Sequence, residues 1–263
     1  RGGTFTDIVA RDPNGELFTD KLLSENQQLY KDAGLAGIKR FLKVPHDKKI
    51  PTDNINSIKM GTTVATNALL ERKGFPVVLL TTKGLRDQLR IAYQNRPNLF
   101  DRQIILNDPL YDHIVEVEER VTSSGKILQP INKEKLYEDL RKIKNVEEKS
   151  CAIVFMHSCK FNKHEKEAEE VAKAIGFSHI SLSYKTSQIM KYVMRGDTTV
   201  ADAYLSPVLN KYIENLYSEF NGDISGKISF MQSTGGLTSA SLFSGKDSIL
   251  SGPAGGVIGG IKT

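Results

Sequence analysis

The chain has 263 residues, of which 39% are hydrophobic and 25% are charged, as in an ordinary soluble globular protein. Its 36 basic and 31 acidic side chains leave a net charge of +5, spread along the sequence. This excludes the concentrated basic surface of a nucleic-acid binder. No apolar run is long enough to span a membrane. The composition therefore predicts a partner that is neither a nucleic acid nor a membrane.

The cysteine content indicates a reducing compartment without a disulfide framework, because only Cys151 and Cys159 are present. His157, Cys159 and His164 lie close together in sequence and invite a metal-site interpretation. Their spacing matches no standard zinc pattern, and no second ligand pair follows. We therefore favour a core strand followed by a surface loop in this region.

The chain opens with the pattern of a β-hairpin. Residues 4–10 and 16–23 are predicted strands, separated by a Pro-Asn-Gly turn at residues 13–15. Pro presets φ in such a turn, and Asn-Gly tolerates positive φ. Apolar residues at helical spacing then predict a helix over residues 32–42.

From residue 58 onwards, predicted strands alternate with predicted helices, which indicates an α/β fold with largely parallel pairing. An opening hairpin before such a unit is typical of the actin-like ATPase (ribonuclease H-like) architecture. We expect a helix break near Pro207 and a glycine-rich loop over residues 251–260. The predicted strands are 58–60, 77–80, 113–121, 126–128, 151–156, 179–182 and 227–231, and the predicted helices are 64–74, 85–91, 132–143, 162–175 and 197–220.

The segment GGTFTD at the start of the chain is the first candidate site. Gly2 and Gly3 let backbone N–H groups approach an anion closely. The hydroxyls of Thr4 and Thr6 can donate to phosphate oxygens, and Asp7 could orient a metal-bound water. A tight hairpin entry is the simpler interpretation, but the whole hexapeptide at a hairpin favours a phosphate site.

The segment GTTVATN, at residues 61–67, lies where a predicted strand becomes a helix. Helix N-termini present free N–H groups to anions. Thr62, Thr63 and Asn67 add further hydrogen-bonding groups. Simple capping needs only one such group, so the surplus favours a site for phosphate or substrate.

Three more segments have small or hydroxyl-bearing residues at predicted element ends. They are RGDTT at residues 195–199, STGG at 233–236 and SGPAGG at 251–256. Spacing alone favours a helix cap for the first. Taken together, however, five such segments in one α/β chain favour a nucleotide cleft. The sequence contains no Walker A motif, no Rossmann glycine motif after a first strand and no nucleophile elbow.

These segments resemble the hydantoinase A/5-oxoprolinase family, and weaker similarity covers nearly the whole chain. KLLSENQQLYKDA at residues 21–33 and MHS at 156–158 are similar to its 5-oxoprolinase branch. The other matching stretches are RGGTFTD at 1–7, MGTTVATNALLERKG at 60–74, RGDTTVADAYLSP at 195–207, STGG at 233–236 and LSGPAGGVIGG at 250–260.

The resemblance implies ATP-dependent opening of 5-oxo-L-proline to L-glutamate in the cytoplasm by a homodimer, with ATP and Mg²⁺ as cofactors. It implies that an Arg or a helix N-terminus faces the substrate carboxylate. Arg195 and Arg96 are the candidates, although a surface salt bridge is the commoner fate of either, and no catalytic base is assigned. Asp7 is the candidate metal ligand. The implied phosphate- and nucleotide-binding residues are Gly2, Gly3, Thr4, Thr6, Gly252, Gly255 and Gly256, and Thr62, Thr63 and Asn67 are implied to hold phosphate or substrate.

Two family features are missing from the 263 residues. An Asp normally precedes RGG, and a second acidic Gly-Gly-Thr segment normally follows the SGPAGG region. We therefore expect residues 1–263 to be the N-terminal region of a longer protein and to be inactive alone.

Two alternatives stay open. The same fold could open hydantoins, as N-methylhydantoinases do, or carboxylate ketones, as acetone carboxylases do. The chain could also be a non-catalytic nucleotide-binding module, although its near-intact phosphate segments argue against that interpretation.

Overall fold

The computed structural model describes residues 2–26, 28–96, 98–106 and 108–262, so Arg1 and Gln27, which belong to two of the motifs, lie outside the described residues. The chain forms two compact units. The second unit is the continuous segment Gly74–Pro207, and the first unit is built from the chain on either side of that segment. None of the helices in the described ranges combines the length and the apolar character that crossing a membrane requires.

The first unit contains three small sheets. A hairpin pairs β1 with β2, a short parallel pair joins β3 to β11, and a three-stranded sheet has the order β13-β12-β4. Its elements are β1 (Phe5–Arg11), β2 (Leu17–Leu23), α1 (Ala33–Phe41), β3 (Ile50–Pro51), β4 (Ile58–Met60), α2 (Val64–Leu70), β11 (Phe220–Asn221), β12 (Ile228–Met231), β13 (Leu237–Ser239), α8 (Gly245–Ser248) and α9 (Ser251–Lys262).

The second unit is built on a four-stranded, wholly parallel sheet of order β10-β9-β5-β6, and β7 pairs with β8 beside it. Its elements are β5 (Val77–Thr82), α3 (Gln88–Ile91), β6 (His113–Val117), β7 (Arg120–Val121), β8 (Ile127–Gln129), α4 (Lys133–Arg141), β9 (Ser150–Val154), α5 (Lys163–Ile175), β10 (His179–Leu182) and α6 (Ser183–Thr186). Helix α7 (Tyr192–Ser218) belongs to this unit as far as Pro207.

The opening hairpin is held by α1. Ile8 packs with Leu22 and Ala36, and a side chain at Gly37 would lie 2.1 Å from the Ile8 Cδ1 atom. Any larger residue at this helix position would force the Ile8 side chain to shift, so glycine lets the hairpin pack closely on α1. Asp32 caps the helix as its side chain accepts a hydrogen bond from the Leu35 N–H group at 3.0 Å.

The core of the second unit follows from continuous apolar runs. Strands β5 and β9 are buried along their whole length, as expected for the interior of a parallel sheet. Helices α4 and α5 cover one face with their apolar stripes, which include Leu136, Leu140 and Ala168. Burial also raises the pKa of the Cys151 thiol, which keeps it protonated and unreactive.

Four predictions differ from the structure. Residues 195–199, which were predicted to cap a helix starting at residue 197, lie inside α7, which begins at Tyr192. The predicted strand over residues 113–121 is divided into β6 and β7, because Glu119 turns into the interior. The predicted break near Pro207 is absent, since α7 continues through it. The glycine-rich loop over residues 251–260 is also wrong, because this segment forms α9.

Candidate functional site

The glycine turn before β1 is tightly closed. The Gly2 N–H group donates to the Phe5 carbonyl at 3.0 Å. A side chain at Gly2 would place its Cβ atom 2.6 Å from that carbonyl oxygen, so glycine is required there. Gly3 and Thr4 lie at the exposed tip, and a Cβ atom on Gly3 would meet nothing within 4 Å. The backbone at this tip is therefore open to a ligand.

Thr6 lies inside the hairpin rather than at the tip. It is 3% exposed, and its Oγ1 atom is 2.9 Å from the Oγ atom of Ser24. The Ser24 hydroxyl in turn donates to the Gly2 carbonyl at 2.7 Å. A direct contact between Thr6 and phosphate would require its hydroxyl to leave Ser24, and that contact stays a prediction. Among the two threonine hydroxyls, only that of Thr4 lies in an exposed residue.

Asp7 points to the opposite face of β1 from Thr6, because side chains alternate along a strand. Its carboxylate pairs with the Lys21 ammonium on β2 at 3.4 Å, and the Asp7 side chain is 72% exposed. Within the described ranges, His, Cys, Asp and Glu residues form no group of three or more that could hold a metal ion. Asp7 therefore does not fit a Mg²⁺ site formed by these residues alone.

The second candidate segment meets the last one within the first unit. The Ser251 hydroxyl, at the start of α9, donates to the Thr62 carbonyl at 2.8 Å, and both residues are fully buried. The Thr62 hydroxyl itself accepts from the Val64 N–H group at 3.2 Å. Thr62 thus provides the capping group at the start of α2, whereas Thr63 makes no side-chain cap bond.

Two further contacts fix the same junction. The Thr66 hydroxyl donates to the Ile249 carbonyl at 2.5 Å. A Cβ atom on Gly252 would lie 3.5 Å from the Thr63 methyl group, an ordinary van der Waals contact, so the two segments are neighbours here. Asn67 is half-buried on α2, one turn beyond Thr63. The bonds from Ser251 and Thr66 therefore hold the junction together without the side chains of Thr63 and Asn67.

The STGG turn, between β12 and β13, joins this arrangement. The Ser233 hydroxyl donates to the Asp247 carbonyl at 2.8 Å and accepts from the Leu250 N–H group at 3.0 Å. Gly235 has a φ of +84°, and its built Cβ atom lies 3.0 Å from Ile258 on α9. The positive φ would strain any other residue at this position, so it favours glycine. Three of the five predicted segments are thus brought together.

Helix α9 replaces the predicted loop and changes how its glycines can act. Pro253 lies in the first turn, where its missing N–H group costs nothing. A Cβ atom on Gly255 would lie 3.6 Å from Met231, whereas one on Gly256 would meet nothing within 4 Å. The first turn of a 12-residue helix carries partial positive charge, which suits an anion beside Gly252.

Arg195 lies in the second unit and is 1% exposed. Its Nε atom donates to the Ser183 hydroxyl at 3.0 Å. Its terminal nitrogens donate to the carbonyls of Phe155 at 2.8 Å, Ile189 at 3.0 Å and Met190 at 3.1 Å. Four of its five N–H groups are therefore committed to protein acceptors. A contact with a substrate carboxylate stays a prediction, and the geometry is that of a clamp between chain segments.

A buried carboxylate completes this clamp and was missed by the sequence patterns. Glu165 accepts from the Ser183 hydroxyl at 2.5 Å and from the Phe155 N–H group at 3.0 Å. Burial raises the Glu165 pKa, while these hydrogen bonds oppose the shift. In sequence, Glu165 looks like one of several charges on the surface of a helix. Only its position on the inner face of α5 distinguishes it.

His164 is also buried, which differs from the predicted surface loop. Its Nδ1 atom lies 2.7 Å from Glu119 Oε2, and both side chains are almost fully enclosed. Thr82 donates to the other Glu119 oxygen. The pair therefore joins the start of α5 to the segment before β7. No zinc-like cluster with Cys159 forms among the residues that the structure describes.

The assembled junction is suited to holding an anion such as the phosphate groups of a nucleotide. It combines the first turn of α9 with the half-buried side chains of Thr63 and Asn67. With the alternating α/β framework and the opening hairpin, these features define an actin-like ATPase type of protein.

The chain belongs to the hydantoinase/oxoprolinase family. The family's N-terminal region matches residues 1–176, and its hydantoinase/oxoprolinase region matches residues 195–263. The chain is 42% identical to 5-oxoprolinase 1 of Arabidopsis thaliana and 43% identical to the 5-oxoprolinase of Dictyostelium discoideum, in each case over 100% of this chain and 23% of the relative. It thus spans about a quarter of the length of these relatives.

The fold has a close counterpart among solved structures. The crystal structure of ATP-dependent caprolactamase from Pseudomonas jessenii superposes with a TM-score of 0.80 at 25% identity, over 99% of this chain and 39% of that one. This likeness confirms the predicted actin-like ATPase architecture with its N-terminal hairpin.

Proposed function

We propose that this chain is the nucleotide-handling part of a longer enzyme that opens 5-oxo-L-proline to L-glutamate at the expense of ATP. The observation that carries the proposal is the 42% identity to a 5-oxoprolinase over the whole chain. The identity to the caprolactamase structure is 25% over nearly the same residues, so the 5-oxoprolinase branch is favoured. The joined glycine- and threonine-rich segments support the nucleotide part of the proposal independently of these identities.

The residues of the first unit would bind and orient the nucleotide. When bound, ATP supplies the phosphoryl group that makes the unreactive amide carbonyl susceptible to water. The tip at Gly3 and Thr4 and the first turn of α9 would hold phosphate through N–H and hydroxyl donors. Thr63 and Asn67 would hold phosphate or the lactam. The contribution of these groups is positioning and charge stabilisation, since none is a strong acid or base.

A role for Mg²⁺ is part of the family expectation but is not supported by the described carboxylates. Asp7 is engaged by Lys21, and it lies on the face of β1 opposite Thr6. We therefore assign no step to the metal and no metal ligand beyond the prediction for Asp7. Arg195 and Glu165 would act by positioning the segments that follow β9 and β10.

The test is ATP hydrolysis by the full-length protein, with 5-oxo-L-proline, hydantoin, caprolactam or acetone as the second substrate. We expect ADP release to depend on 5-oxo-L-proline and to be accompanied by glutamate. Stimulation by another of these compounds alone would reassign the substrate within the family. Absence of nucleotide binding would contradict the proposal and favour a module without this activity.

We also propose that the full-length protein is a cytoplasmic homodimer. The family resemblance supports the dimer, and the two free cysteines, Cys151 and Cys159, suit a reducing compartment. Light scattering coupled to size-exclusion chromatography measures the first property, and a monomeric mass would contradict it. Cell fractionation with activity measurements tests the second.

A further inference from the structure

We propose that Ser24 is a positioning residue for nucleotide phosphate, because it fixes the orientation of the glycine turn before β1; this inference rests on the proposed function. Ser24 follows β2 and is 1% exposed. Its hydroxyl donates to the Gly2 carbonyl at 2.7 Å, and its N–H group donates to the Thr4 carbonyl at 2.8 Å. One residue therefore holds both sides of the turn tip at Gly3.

Hydrogen counting gives the direction of the buried hydroxyl chain. A serine hydroxyl has a single hydrogen. Since Ser24 uses it on the Gly2 carbonyl, the bond of 2.9 Å between Thr6 and Ser24 must be donated by Thr6. Thr6 thus fixes the rotamer of Ser24, and Ser24 fixes the Gly2 carbonyl. The hydrogens of both hydroxyl groups are therefore engaged in bonds inside the hairpin, where burial shields them from competing water.

Because a trans peptide is planar, the bonds from Ser24 to the Gly2 and Thr4 carbonyls also fix the direction of the N–H group that follows each carbonyl. In a trans peptide, the carbonyl and the following N–H group point in opposite directions. The Gly2 carbonyl is held towards Ser24, so the Gly3 N–H group points away from Ser24. The Thr4 carbonyl is held the same way, so the Phe5 N–H group also points away from β2. Among the residues that the structure describes, no strand pairs with this side of β1, where the Gly2 N–H group donates to the Phe5 carbonyl.

The Gly3 N–H group lies in an exposed residue whose built Cβ atom meets nothing within 4 Å, so it is placed to donate to an anion. Glycines at the tip would otherwise sample many backbone conformations, including ones that turn a carbonyl towards the phosphate. The two bonds from Ser24 select the conformation with the Gly3 N–H group outward. The proposal therefore concerns binding of phosphate and not of the nucleoside.

The experiment compares the affinities of ATP and adenosine for the full-length protein and its Ser24→Ala and Ser24→Thr variants, by calorimetry. We expect Ser24→Ala to weaken ATP binding about tenfold, as the loss of one buried hydrogen bond does, and to leave adenosine binding unchanged. Ser24→Thr keeps the hydroxyl and should keep ATP affinity within about threefold.

The matched control is Ser150→Ala, which removes another buried serine that donates to a carbonyl, that of Pro76 at 3.2 Å in the second unit. It should change the affinity of neither ligand. Should Ser24→Ala fail to fold, Ser24→Cys, with a weak S–H donor of similar size, takes its place in the same comparison.

The outcomes distinguish failure of the proposed function from failure of the proposed role of Ser24. A wild-type protein that binds no ATP would overturn the proposed function. ATP binding that is equal in wild type and Ser24→Ala would overturn the role of Ser24 alone. Equal losses for ATP and adenosine would also overturn it, since they would indicate general damage to the site. A selective loss for ATP that threonine restores supports the proposal.

Discussion

Arg195 provides a direct comparison between a predicted ligand contact and an observed structural one. Replacing Arg195 with Met keeps much of the side-chain length and removes all donors. The Ser183 hydroxyl and the Phe155, Ile189 and Met190 carbonyls then lose a donor. Leaving a buried acceptor without its donor typically costs about 1–3 kcal/mol for each group.

The predicted loss is a large share of the stability of the second unit, since whole domains have only about 5–15 kcal/mol of stability. Because a protein with several units need not unfold in two states, hydrogen exchange resolved by peptide is the suitable assay. We expect the segments around residues 155–158 and 183–190 to lose protection.

The exposed Arg86 serves as the control, and its replacement by Met should change stability by no more than about 0.5 kcal/mol. A protein with Arg195→Met that keeps wild-type protection but shows a raised KM for 5-oxo-L-proline would refute the reasoning. That result would restore the predicted contact with the substrate carboxylate.

Two further predictions concern buried hydroxyl groups. Burial raises the pKa of Tyr192 from 10.0 to about 12, so the folded state holds this proton more tightly. Stability from this group is present below pH 10 and is lost between about pH 10 and 12, at up to about 1.4 kcal/mol per pH unit. Denaturant titrations should show this alkaline loss to be smaller in Tyr192→Phe, and identical pH profiles would contradict it. Ser251→Ala should lower the free energy of unfolding by about 1–3 kcal/mol, because the Thr62 carbonyl loses its partner, and should weaken ATP binding as well. Calorimetric melting measures the first effect, and Ser251→Ala with unchanged melting and affinity would show that the junction does not depend on this bond.

Local patterns predicted most elements of the fold because each element is consistent with its own sequence. The strand over residues 179–182 has the predicted bounds, and Asp32 and Asn132 cap the helices that the periodicity indicates. The hairpin turn carries Gly15 at a φ of +90°, as Asn-Gly chemistry requires.

Errors arose where distant contacts override local preference. Glycines in residues 251–260 favour a loop locally, but packing of α9 against Met231 and the bond from Ser251 to Thr62 stabilise a helix. Glu119 looks like a solvent-facing strand residue until His164, 45 positions later, becomes its partner. Such partners are invisible to any pattern that spans only a few turns.

The sequence predicted which segments form the candidate site, but not what each residue does there. Gly61, Ser233 and Gly252 belong to segments that the fold brings together, yet the sequence could not show that Thr6 would be buried. Ser24 lies 18 residues from Thr6, and the hairpin register alone brings them together. Hydroxyl groups next to a glycine turn resemble ligand contacts in sequence whether they face a ligand or hold the turn.

The interruption of the first unit by the second has a consequence for synthesis on the ribosome. Strand β4 finds its parallel neighbour only when residues 228–230 have emerged, since Ile58 pairs with Ile228. At 5–20 residues per second, the intervening 170 positions (from 58 to 228) take roughly 10–35 s. The continuous segment Gly74–Pro207 is finished earlier and can complete its own sheet first. The nascent chain therefore carries an unpaired β4 strand after the second unit has completed its sheet, and protection by a chaperone matters most during this interval.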